Sequence, residues 1–129
     1  MKNIGVSIRN RVFSDGLLLM LKQTGDFRPA ALPWNSSVEL ETGCLSLHPD
    51  ILLLDVMPAP ESMTLEERLG AVAEIRRSLP QVKVAVFCDE TAYPELAIEV
   101  MRAKQEGRID AFYYASVSAQ YLTAALNAL

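Results

Sequence analysis

Apolar residues fall on every second position from Asn3 to Ile8, at Ile4, Val6 and Ile8, and this alternation predicts a short strand. The period then lengthens. Phe13, Leu17, Leu18, Met20 and Leu21 are spaced as on a helix from Val12 to Gln23, with Gly25 as its stop. Pro29 and Pro33 bracket an extended segment near Ala30–Leu32. Asn35 or Ser36 is suited to cap a short helix carrying Val38, Leu40 and Leu45, which Gly43 weakens. Ile51-Leu52-Leu53-Leu54 is a continuous apolar run of strand length, the pattern of a strand buried on both faces of a parallel sheet. Pro58 and Pro60 end it.

The second half repeats the scheme. Thr64 with Glu67 reads as a capping box, opening a helix with Leu65, Leu69, Val72 and Ile75, and Pro80 stops it. Val82–Cys88 is a further buried strand. Pro94 suits the first turn of a helix running to Glu106, with Gly107 beyond it. Ala111–Tyr114 is a short aromatic strand, and Ser118 caps a last helix reaching the final residue, Leu129. Strand and helix thus alternate five times, which predicts an α/β fold of parallel βαβ units with a five-stranded sheet covered on both faces. There is no internal repeat, low-complexity tract or linker, and residues 1–129 are expected to form one domain.

Composition narrows the functions. Half of the 129 residues are apolar and 22% are charged, as in ordinary globular domains. Sixteen acids against 12 bases give a net charge of −4, which disfavours direct nucleic-acid binding. No apolar run approaches the roughly 18–20 residues of a membrane span, and no secretory signal is recognisable, so the expected location is the cytoplasm. Cys44 and Cys88 make neither a disulfide framework nor a zinc site.

The segment Pro49-Asp50-Ile51-Leu52-Leu53-Leu54-Asp55-Val56-Met57-Pro58 ends a third strand on an aspartate. With the tail Ile109-Asp110-Ala111-Phe112-Tyr113-Tyr114 and Ser116-Val117-Ser118, it resembles a receiver domain of bacterial two-component response regulators. The resemblance covers essentially the whole chain. It implies a flavodoxin-like (βα)5 fold with strand order 2-1-3-4-5 and a site at the carboxyl ends of the strands. It also implies that Asp55 stands where the family accepts a phosphoryl group.

The family's other site positions are altered. Its acidic pair after the first strand, which holds a divalent cation, is replaced by Ile8 and Arg9. Its hydroxyl at the end of the fourth strand is replaced by Cys88, a weak donor. Its lysine after the fifth strand is replaced by Ala115. The proline follows Asp55 by three residues instead of four, and the loop Pro58–Leu65 carries extra residues. The chain therefore looks like a degenerate, or pseudo-receiver, variant. It is expected to be a non-enzymatic signalling or transcription-regulatory module without a cofactor or metal.

Alternatives stand beside this. Asp55 could accept a phosphoryl group from a sensor kinase through Mg2+ at an atypical site, for which Asp55, Asp89 and Glu90 are the metal candidates. Otherwise Asp55 is a strand-end carboxylate bonded to backbone amides or paired with Arg9. A small flavodoxin-like enzyme or nucleotide-binding protein is the third class, although Ser7–Phe13 contains no glycine for a phosphate cradle. Cys88 is a candidate redox thiol or a packing residue, and His48 a loop residue without a nucleophile beside it.

Tyr93, Phe112, Tyr113 and Tyr114 are interface candidates. In the resembled family the fourth helix, fifth strand and fifth helix commonly carry dimerisation, and a protein partner or homodimer is expected there. One alternating set of the strand must nonetheless be core. Arg102, Lys104 and Arg108 read as a solvated helix end, and Glu66, Glu67 and Arg68 as an exposed first turn. Trp34 either packs over the second strand or is exposed. Regulators of this family often carry a helix-turn-helix domain, so the chain is expected to be a stand-alone regulator or a fragment of a longer protein.

Overall fold

The computed structural model describes residues 1–129. Its elements are β1 (Lys2–Ser7), α1 (Arg11–Gln23), β2 (Phe27–Ala31), α2 (Ser37–Leu47), β3 (Ile51–Val56), α3 (Leu65–Ser78), β4 (Lys83–Cys88), α4 (Pro94–Gln105), β5 (Ala111–Tyr114) and α5 (Ala119–Asn127). All five strands are parallel in one sheet, in the order β2-β1-β3-β4-β5. This is the expected flavodoxin-like α/β architecture.

The apolar run at the centre explains the layering. Every residue of β3 is buried. Ile51 and Leu53 belong to a cluster with Leu17 and Leu21 of α1 and Leu122 and Leu126 of α5. Leu52 and Leu54 point the other way, into a larger cluster with α2, α3 and α4. Alternate side chains of one strand thus hold helices onto both faces of the sheet.

Local chemistry sets the helix starts. Asn10, Ser36, Thr64 and Ser118 each accept a backbone N–H from the first turn that follows. Thr64 and Glu67 form the full reciprocal capping box. Pro94 opens α4, and Gly107, at φ +76°, follows its end in the left-handed region.

Several boundaries differ from the sequence reading. β1 begins one residue earlier and stops at Ser7. β2 spans Phe27–Ala31 rather than lying near Ala30–Leu32, with Pro29 inside it; this is tolerated because β2 is an edge strand paired only with β1. α5 ends at Asn127, short of the last residue. No helix is long and apolar enough to cross a membrane.

Candidate functional site

The carboxyl ends of β1 and β3 bring Ser7, Ile8, Arg9 and Asp55 together. Asp55 lies one residue before the end of β3 and is only 6% exposed. Both of its carboxylate oxygens are engaged. Oδ2 accepts the backbone N–H of Arg9 at 3.0 Å. Oδ1 accepts Nη2 of Arg68 at 2.7 Å, an ion pair between two buried side chains.

Arg68 is the residue that sequence reasoning misplaced. Far from standing on an exposed first turn, it is 2% exposed. Its guanidinium spans the ends of two neighbouring strands. Nε donates to the Asp55 carbonyl at 3.1 Å, Nη2 to the Ser7 carbonyl at 2.9 Å, and Nη1 to the Ser7 hydroxyl. Ser7 Oγ in turn donates to the Pro33 carbonyl at 2.6 Å. Burial draws the Arg68 guanidinium below its ordinary range, while the charge and hydrogen bond of Asp55 oppose that shift. An arginine keeps its proton in either case.

Arg9 does not pair with Asp55 through its side chain, contrary to the salt bridge considered from the sequence. It turns over the β3–α3 loop, paired with Glu61 and contacting Met57 Sδ at 3.3 Å. Its guanidinium stands 5.9 Å from the ring centre of Trp34. Trp34 is therefore half-buried beneath Arg9, between the two outcomes considered. Only the backbone amide of Arg9 reaches Asp55, so of the two bonds considered for that carboxylate, the amide one is present.

Of the remaining altered positions, Ile8 and Cys88 are spent on packing, while Ala115 is exposed. Ile8 is buried against α1 and β3. Cys88 is fully buried in the larger core, and burial pushes its thiol up to about 11, so the redox-thiol idea has no accessible thiolate to use. Cys44 is likewise buried and pushed up to about 11. Ala115 lines an apolar groove of about 280 Å3 between α1 and α5, with Phe13, Leu17, Phe87 and Val117.

The metal candidates do not converge. Asp89 Oδ1 accepts the amides of Thr91 and Ala92, and Glu90 Oε2 accepts that of Ala115. No three His, Cys, Asp or Glu side chains come together. Asp55 has a guanidinium at one oxygen and Ile8 and Arg9 where further carboxylates would be needed. These residues do not fit a divalent cation at Asp55.

The aromatic set divides by strand parity. Tyr113 is buried among the α1 and α5 residues and is core, which corrects its place among the interface candidates. Phe112 and Tyr114 lie on the other face, half-buried, with ring centres 5.4 Å apart. Tyr93 is half-buried at the start of α4. His48 is exposed and ends α2 in the left-handed conformation, at φ 51°. Arg102, Lys104 and Arg108 are exposed as expected.

Comparison with known proteins agrees with this geometry at the level of fold. No protein-family model and no curated protein matches the chain. Among solved structures, it is similar to a LuxR-family DNA-binding response regulator from Staphylococcus aureus, at 19% identity and TM-score 0.71, over 99% of this chain and 98% of that one. A CheY-like receiver domain protein from Methanospirillum hungatei JF-1 gives 12% identity and TM-score 0.75, over 99% and 92%. A member of a family described as redox sensors in the streptococci, evolved from two-component response regulators, gives 18% and 0.73, over 99% of this chain and 50% of that one. The chain has the fold of response regulator receiver domains.

Proposed function

We propose that residues 1–129 form a single receiver-like regulatory module that acts in the cytoplasm through protein contacts, is not an enzyme, and has no phosphorylation switch at Asp55. One observation carries the reading: the buried Arg68–Asp55 pair. Phosphoryl transfer needs a carboxylate oxygen with a free approach and a dication to offset charge on the phosphoryl group. Here a fixed cation of the chain's own already neutralises the carboxylate, and it brings no open coordination site. The module needs no cofactor in this reading. The partner is a protein, a second copy included, and not nucleic acid, in keeping with the net charge of −4.

Incubation with Mg2+ and a small acyl-phosphate donor, followed by intact mass measurement, tests this directly. The expected result is an unchanged mass. A phosphate adduct on the native chain that is missing from Asp55→Asn overturns the reading in favour of a working phospho-receiver.

A further inference from the structure

A groove between the β3–α3 loop and α4 opens beside the Asp55 site and contains neither Asp55 nor Arg68. Its volume is about 520 Å3, inside the roughly 300–1,000 Å3 common for small-molecule sites. Val56, Leu65, Leu69, Leu96 and Ala103 give it apolar walls.

Its lip is charged in a specific pattern. Glu66 is neutralised by Arg108, whose two terminal nitrogens reach its two oxygens at 3.4 and 3.3 Å. Of the other three charges, Glu99 and Arg102 stand on α4 at positions i and i+3, hence on one face, and Glu106 is the residue that caps the end of the helix. They form no ion pair with each other or with any other side chain.

A plain anion would meet Arg102 but be repelled by two carboxylates. A plain cation would meet the reverse at Arg102. A zwitterion with an apolar body matches the unpaired charges of the lip and the walls below it. We propose that this groove binds an apolar α-amino acid or a dipeptide of such residues. The carboxylate would lie on Arg102, the ammonium on Glu99 or Glu106, and the side chain against Leu65, Leu69 and Leu96. The module would then take a small-molecule input. The proposal does not depend on the reading of Asp55: an adduct at Asp55 would leave it standing, and an empty groove would leave the phosphorylation result unchanged.

Amide chemical shifts of the labelled chain, followed during titration, test the proposal with L-phenylalanine and Phe-Leu as probes. The controls are 3-phenylpropanoate, which lacks the ammonium, and phenethylamine, which lacks the carboxylate. Saturable shifts are expected with at least one zwitterion, confined to residues 56–69 and 96–108. Each control should bind at least about tenfold more weakly, a difference of about 1.4 kcal/mol. Arg102→Glu, at an exposed position without an ion pair, should lose at least as much, and Glu99→Gln with Glu106→Gln should erase the preference for zwitterion over anion. No shifts with either zwitterion, equal binding of the two controls, or shifts centred on the α1–α5 groove would each overturn it.

Discussion

At the scale of single residues the molecule turns on Arg68. A buried ion pair is weak evidence of stability against an apolar replacement, but breaking one partner leaves an uncompensated charge and costs about 3–5 kcal/mol. Arg68→Met should lose about that much in urea unfolding, since Asp55 and the Ser7 and Asp55 carbonyls all lose donors. Asp55→Leu should cost clearly less in the Arg68→Met background than in the native chain. Strictly additive losses would mean that the two side chains do not act as a pair. The sequence held a signal for this contact. Arg68 sits three residues after Leu65 and four before Val72, inside the apolar stripe of α3 and not on its polar face. A charge in such a stripe asks for a buried partner, and Asp55, at the end of the strand below, was the available one. The capping box drew the reading toward an exposed first turn instead. Cys44 and Cys88 make a second expectation at this scale. Their folded values, about 11, lie above the ordinary 9.0. The unfolded chain therefore loses those protons first as pH rises, and the stability they contribute, whole below about pH 9, drains away toward pH 11. Thermal melts across that window should show a decline that weakens in Cys44→Ala and Cys88→Ala. A flat profile in the native chain would contradict the burial of both thiols.

Elements were legible where periodicity and caps agreed. The continuous apolar run of β3, the Thr64–Glu67 box and Pro94 each pointed to the element that formed. β2 was the weak point, because its apolar content is low and Pro29 argues against a strand unless the strand is known to be at an edge. That knowledge belongs to the tertiary pairing and not to the segment. Glycines show the same division between local and tertiary causes. Gly70 lies in α3, where an added methyl would meet nothing within 4 Å. Gly70→Ala should therefore stabilise by about 0.8–1.0 kcal/mol, the helix-propensity difference. Gly5 lies in β1, and a Cβ there would stand 2.4 Å from Leu32 Cδ1 and 3.3 Å from Leu47 Cδ2. Leu32 is buried, so it has little room to yield. Gly5→Ala should cost about 1–3 kcal/mol by overpacking. A calorimetric midpoint that does not fall in Gly5→Ala would show that Leu32 and Leu47 do not press on β1 as closely as these distances require.

For the molecule as a whole, function depends on which outer face meets a partner. Beside the exposed Val38 and Leu45 of α2 and Leu19 of α1, two faces gather apolar groups around a groove or a strand edge. One is α4, β5 and α5, with Ile98 52% exposed, Tyr121 58% exposed, Met101 at the margin, and Phe112 and Tyr114 half-buried between them. The other is the start of α1, where Val12 is 85% exposed beside the α1–α5 groove. The first face includes β5, a four-residue strand with one edge unpaired, and edges of this kind invite association. It also mixes aromatic groups bearing polar tips with charges of both signs on α4, a composition suited to an interface that is wet at its rim. Self-association should therefore run through α4–β5–α5. Light scattering after size exclusion should find a dimer that Ile98→Glu returns to monomer and Val12→Glu leaves intact. If Val12→Glu dissociates it and Ile98→Glu does not, the working face is the α1 side, beside the groove that Phe13, Leu17 and Ala115 line. A native chain that is monomeric at every concentration would leave contacts with a different protein as the only output consistent with a module whose Asp55 carboxylate is already held by Arg68.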